Sequence, residues 1–389
     1  MVTAPHSRPL VAPATPFVSK PRPLPATRVI CGAMRGLFLA ALLAVAAPVV
    51  ACTTFCMNVN GHAVFGANYD WDTGIGMVMV NKRWVTKQSL TGRPVHWMSQ
   101  YASITLNQYG REFPTGGMNE AGLVIALMGL DVTQYPAVDS RPSTGILDWI
   151  QYQLDVSATI DDVVAHAQQI RIAQGGKGLH YLIADRSGRA LTLEYLSGQL
   201  VTHQDSALPV AVLTNNTCDE SIAYLRTITG FGGHASVPSG IGSLERLARA
   251  ASLMRTTSAS ADAVERAFAI LDSVHQPDYT RWTVVYDPAD GTIYFRTDRN
   301  PEMRFVSFSS FDLGCSSPVK MLDINGEGTS DVAPLFADYT TAANMALVNT
   351  AYDETPFLAG ATEDDRIETA LHPESDVCTA IPRRRSARH

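Results

Sequence analysis

The sequence predicts an α+β protein in which sheets and helices stack in separate layers. Three observations carry this. Apolar and β-branched runs bounded by turn residues dominate from Thr53 to Leu127. Three helical stretches then follow one another between Glu220 and Ser273. The chain returns to strand patterns at Trp282. Strands, then helices, then strands is not the alternating βαβ order of a parallel sheet.

The first element expected is a hairpin. Thr53 to Met57 reads as a strand, Asn58-Val59-Asn60-Gly61 as its turn, and His62 to Tyr69 as the return strand. Further strands are expected at Gly76–Asn81, Ser103–Leu106 and Leu123–Leu127. Helices follow at Asp148–Leu154 and Ile160–Ile170, the latter after the start signal Ser157/Thr159. Leu179–Ala184 and Ala190–Tyr195 form a second hairpin about Asp185-Arg186-Ser187-Gly188, and Val210–Thr214 is one more strand. The helical stretches are Glu220–Thr227, Ser243–Leu253 and Ala261–Ser273, with Ser260 as the cap of the last. Strands at Trp282–Tyr286, Thr292–Thr297 and Met303–Phe308 close the pattern. Beyond residue 320 the signal weakens to one helix within Pro334–Leu347, and the polar stretch from Gly360 is expected to be mobile.

The N-terminal residues predict processing. Residues 1–33 hold seven prolines and no acidic residue, so Met34 is a candidate true start. Arg35 and the apolar run Gly36–Val50 form the charged and hydrophobic regions of a signal peptide. Val49 and Ala51 fit the −3 and −1 positions of a cleavage site. The run has 15 residues, against roughly 20 for a membrane span. Cleavage after Ala51 makes Cys52 the first residue. It then carries a thiol and a free α-amine of ordinary pKa about 7.7–8.0, a nucleophile and a base on one residue. Val49-Val50-Ala51-Cys52 also fits a lipoprotein box, in which Cys52 is only an acylated anchor. A strand that begins at once, with no polar tether, favours the nucleophile.

Removing residues 1–51 leaves 338 residues with a net charge of −12. That charge does not suit nucleic-acid binding. Besides Cys31 in the leader, the cysteines are Cys52, Cys56, Cys218, Cys315 and Cys378. Their wide spacing dictates no pairing. There is no CxxC pair, and His62, His96, His180 and His234 are too scattered for a metal site.

Two further stretches carry chemistry. Asp70, in Gly66-Ala67-Asn68-Tyr69-Asp70-Trp71, lies 18 residues beyond Cys52. A hairpin of that length returns a carboxylate to the start of the first strand, where it can orient an amine and a thiol. Asn215, in Leu213-Thr214-Asn215-Asn216, ends an apolar strand and can donate to an oxyanion.

Together these residues resemble the choloylglycine hydrolase and penicillin V acylase family, linear amide C–N hydrolases among the N-terminal-nucleophile hydrolases. The resemblance rests on CTTF at Cys52, NYDW at Asn68–Trp71, Met118-Asn119-Glu120-Ala121-Gly122-Leu123, VLTNN at Val212–Asn216, Arg246 in SLERL and Trp282–Asp287, in family order over roughly residues 52–310. It implies a four-layer αββα sandwich over residues 52–320, with residues 321–389 as a C-terminal extension. It implies Cys52 as nucleophile with its amine as base, Asp70 holding the amine, Asn215 as oxyanion donor, Arg246 in the charge network, and the backbone near Gly129 as second oxyanion donor. The expected substrate is a small-molecule amide of bile-salt, penicillin V or acyl-homoserine-lactone type, cleaved through an acyl-thioester with no metal or organic cofactor. An acyltransferase of related fold, or a lipid-anchored binding protein, are the alternatives. The mature chain is expected to be secreted or periplasmic, not inserted in a membrane, with a homo-oligomer left open. In one respect the sequence departs from the family. Ala67 stands where an arginine usually lies beside the nucleophile, so Lys82 or Arg83 is expected to serve instead, or activation rests on the other groups.

Overall fold

A computed structural model describes residues 52–257 and 262–379. In chain order the first elements are β1 (Thr53–Val59), β2 (His62–Asp70), β3 (Met77–Asn81), β4 (Val85–Gln88), β5 (His96–Met98), β6 (Ser103–Asn107), β7 (Pro114–Asn119), β8 (Val124–Gly129) and β9 (Ser143–Thr144). Then come α1 (Asp148–Val156), α2 (Ile160–Gln169), β10 (Arg171–Ile172), β11 (Leu179–Ala184), β12 (Ala190–Leu196), β13 (Gln199–Gln204) and β14 (Val212–Leu213). The helices α3 (Cys218–Leu225), α4 (Ser243–Arg255) and α5 (Ala263–Ser273) precede β15 (Thr280–Asp287), β16 (Thr292–Thr297), β17 (Arg304–Ser307), β18 (Lys320–Asp323), β19 (Ser330–Asp331) and β20 (Ala337–Asp338). The last elements are α6 (Thr341–Glu354), α7 (Glu363–Leu371) and β21 (Val377–Cys378).

Two sheets carry the fold. One runs β14-β1-β2-β15-β16-β17-β19, the other β13-β12-β11-β8-β7-β6-β3-β18-β20. Pairing within them is antiparallel except between β17 and β19. The alternation of β1 explains the layering. Cys52 and Cys56 belong to the core between the sheets. Phe55, Met57 and Val59 face the other way, into a second core built with α4 and α5. On the far sheet, Trp149 and Ile150 of α1 are fully buried. The result is the αββα sandwich.

The β1–β2 turn is tighter than the sequence suggested. Val59 pairs with His62, so only Asn60 and Gly61 turn, both left-handed at φ 55° and 86°. Gly66 is required by close approach, since a Cβ there would lie 2.5 Å from the Phe55 ring.

Several expectations need correction. No element was expected over Pro114–Asn119, which forms the wholly buried strand β7. Proline is tolerated at its first position, and tertiary pairing overrides the glycines. The helix expected within Pro334–Leu347 is instead α6. Thr340 caps it by accepting from the Ala343 N–H, which fixes the start. Ser260 lies outside the described residues, and the cap of α5 is Asp262, which accepts from the Glu265 N–H. The stretch after Gly360 is not a loose tail as far as Thr379. It forms α7 and β21, β21 pairs with β4, and a Cys315–Cys378 disulfide anchors it.

Candidate active site

The hairpin brings the predicted residues together. Cys52 immediately precedes β1 and is 4% exposed. Its Sγ lies 3.7 Å from the Asp70 carbonyl oxygen. The Asp70 carboxylate, wholly buried, accepts from Gln276 Nε2 at 2.6 Å and Thr280 Oγ1 at 2.5 Å. A bulge in the β2–β15 pairing sets Thr280 opposite Asp70. Neither Gln276 nor Thr280 was foreseen from the sequence. Their only signal was position, just upstream of the Trp282–Asp287 strand.

Arg246 joins the parts. It projects from α4, fully buried, and its Nη1 donates to the Cys52 carbonyl at 2.9 Å and to Thr53 Oγ1 at 2.5 Å. The same atom stands 3.8 Å from Asp70 Oδ2. Its Nη2 donates to Asn215 Oδ1 at 3.1 Å. That contact fixes the Asn215 amide, whose Nδ2 donates to the Gly129 carbonyl at 2.9 Å. The Leu130 N–H donates to the Gly178 carbonyl. Alternation of the antiparallel ladder therefore turns the Gly129 N–H and C=O away from β11. The β7–β8 pairing ends at Gly116 and Ala126, so no β7 residue lies across from Gly129. His180, fully buried, supports the same strand end through Nε2 to the Thr214 carbonyl at 2.7 Å and Nδ1 to Glu194 at 3.0 Å.

The electrostatics oppose a free thiolate. Burial, then the Asp70 carboxylate, push the Cys52 thiol up to about 12, with Arg246 pulling the other way. Burial also raises Asp70 to about 6, against the hydrogen bonds from Thr280 and Gln276 and the charge of Arg246. The expected substitutes for the family arginine are elsewhere. Lys82 donates to the Asp312 carbonyl and Arg83 pairs with Glu120. Ala67, opposite Thr54 in register, belongs to the same inter-sheet core as Cys52. The cation acting on Cys52 is Arg246.

Beside this cluster lies a cavity of about 280 Å³. Register sets its wall Tyr69 next to Cys52, since Thr53 pairs with Asn68, and its wall Leu179 opposite Gly129. Trp71, Tyr109, Phe113 and Leu127 make it predominantly apolar and aromatic. Among the described residues no group of three or more His, Cys, Asp or Glu is arranged to hold a metal, and no helix is long and apolar enough to cross a membrane.

The αββα layering, with Cys52, Asp70, Asn215 and Arg246 converging at the β1–β2 end, defines an N-terminal-nucleophile hydrolase fold. The chain belongs to the linear amide C–N hydrolases, choloylglycine hydrolase family, whose pattern matches residues 52–321. It is 27% identical over 242 residues to a penicillin V acylase of Pectobacterium atrosepticum, a match covering 55% of this chain and 62% of that protein's length. The structure of a penicillin V acylase from Agrobacterium tumefaciens superposes with a TM-score of 0.66 at 27% identity, covering 74% of this chain and 98% of that one. A conjugated bile acid hydrolase from Clostridium perfringens shares the fold, with a TM-score of 0.59 at 16% identity over 72% of this chain and 98% of its own.

Proposed function

We propose that this chain is an exported amidase whose leader is removed to expose Cys52, and that it hydrolyses a small non-peptide amide. The observation that carries the reading is the convergence of Asp70, Arg246 and Asn215 on a buried cysteine at the head of β1. The α-amine of Cys52 takes the thiol proton as sulfur attacks the carbonyl. The second N–H of Asn215 Nδ2 and the Gly129 N–H receive the oxyanion. The tetrahedral intermediate collapses with proton return to the departing amine, leaving an acyl-thioester. Water, deprotonated by the same α-amine, then releases the acid. Asp70 holds the amine, and Arg246 holds both Asp70 and the Asn215 amide. The Cys315–Cys378 disulfide supports a secreted or periplasmic location, because such bonds persist in oxidising compartments.

The relatives direct the first substrates. Penicillin V and conjugated bile salts should be offered to protein produced with its leader, with released amine measured. Hydrolysis of at least one such amide is expected. Activity that remains in Cys52→Ala, or none on any acyl amide from fully processed protein, would contradict the reading.

Asn215→Ala should lower kcat about 10²–10³-fold, the usual loss for one oxyanion donor. KM and melting temperature should change little, since Asn215 is only part-buried. A kcat within a few-fold of the parent would move the oxyanion role elsewhere.

A further inference from the structure

The cavity beside Cys52 is not built by the family-matched residues alone. Tyr352, Phe357, Leu358 and Thr369, which also line it, come from the extension beyond residue 321. Phe357 meets Trp71 edge-on at 6.0 Å, and Lys177 Nζ lies 5.6 Å from the Phe357 ring and 5.9 Å from the Trp71 ring. Thr355, fully buried, bonds the Tyr109 hydroxyl at 3.2 Å.

The attachment of this segment is stiff. Asn344, 1% exposed, accepts from the Arg111 N–H and donates to the Ala370 carbonyl, each at 2.8 Å. Arg111 also pairs with Asp376 at 2.9 Å. Beyond them the disulfide ties β21 to Cys315. These buried hydrogen bonds, the ion pair and the covalent link preorganise the segment that carries Phe357 and Leu358, while Phe357 itself is about half exposed at the cavity rim.

We propose that the extension is the roof of the acyl pocket, and that Phe357 and Leu358 set which acyl group the enzyme accepts. The cavity, about 280 Å³, falls just below the roughly 300–1,000 Å³ of ligand pockets. Its aromatic lining suits one ring or an unbranched chain of similar bulk. The proposal rests on the amidase reading for its rate measurements, and binding of the free acids tests it separately.

The test compares the processed parent, Phe357→Ala/Leu358→Ala and Phe357→Trp. Each is offered phenoxyacetyl, hexanoyl and decanoyl amides of one chromogenic amine. Opening the roof should raise the decanoyl-to-phenoxyacetyl ratio of kcat/KM by about tenfold or more, the scale on which pocket volume discriminates. Phe357→Trp should lower the same ratio. Calorimetric Kd values for decanoate and phenoxyacetate should shift in the same directions. Ratios and Kd values that stay within two-fold in variants that melt like the parent would overturn the proposal. If the double variant fails to fold, Phe357→Trp alone decides. If the acids bind as expected while no amide is cleaved, the roof stands and the amidase reading fails.

Discussion

A chain that keeps one residue in front of Cys52 is expected to fold normally and to lose activity by about 10⁴-fold, the upper end of what a general base contributes. With Ala51 attached, the nitrogen of Cys52 is an amide and cannot take a proton. The surroundings of the thiol do not make up for this, because burial and Asp70 outweigh the pull of Arg246 and hold it at about 12. At pH 7 the thiol stays protonated unless a base takes its proton. Arg246 lowers the thiol from its place on the Cys52 carbonyl, Thr53 and Asn215, but less than burial raises it. Chains beginning at Ala51 and at Cys52, released from the same fusion by a protease, provide the comparison. Equal kcat/KM, with the extra alanine confirmed by intact mass, would remove the amine from the mechanism.

Asp70→Asn is expected to impair activity far more than stability. An asparagine can still accept from Thr280, but it leaves the buried Arg246 without its counter-charge and the α-amine without its anchor. Against the lost partner of Arg246 stands relief of a carboxylate that burial disfavours, since Asp70 is raised to about 6, so the net change in stability should be small. Loss of the orienting carboxylate should lower kcat about 10²–10⁴-fold. The pH dependence separates the two effects. Burial raises Asp70 from 3.8 to about 6. In that window the folded chain binds the proton that the unfolded chain has released, so this group's contribution to stability falls as pH rises from 3.8 to about 6. The carboxylate needed for activity runs the other way. It is present above about pH 6 and lost below it, and an adjacent ammonium extends it lower. The parent should therefore show an acid limb in kcat/KM that Asp70→Asn lacks. An identical acid limb in both would assign it to another group.

Much of the site was legible because it is local. The two-residue turn at Asn60-Gly61 fixes the hairpin register, and that register alone returns Asp70 to Cys52. Asn215 was legible as a polar residue ending an apolar strand, and Arg246 through its place in the family pattern. What could not be read depends on distant pairing. Gln276 and Thr280 reach Asp70 only because β15 lies beside β2, across more than 200 residues of chain. The two glycines of β7 give no strand signal, and burial between β6 and β8 makes the strand. Of the two alternatives for the missing family arginine, the structure favours activation by the remaining groups, because Lys82 and Arg83 are held by Asp312 and Glu120. The polar sequence after Gly360 hid an anchored segment. Its attachments are side-chain bonds to the buried Asn344 and a disulfide to Cys315, features that leave no periodicity.

The most direct test of the central claim, that Cys52 attacks the amide as a processed N-terminal residue, is the mass of the enzyme quenched in acid during turnover. The N-terminal peptide should begin at Cys52. It should carry the mass of the acyl group as a thioester that hydroxylamine removes, and Cys52→Ala should carry none. An N-terminal peptide bearing a permanent lipid, or an acyl group trapped on any other residue while Cys52 remains unmodified, would contradict it.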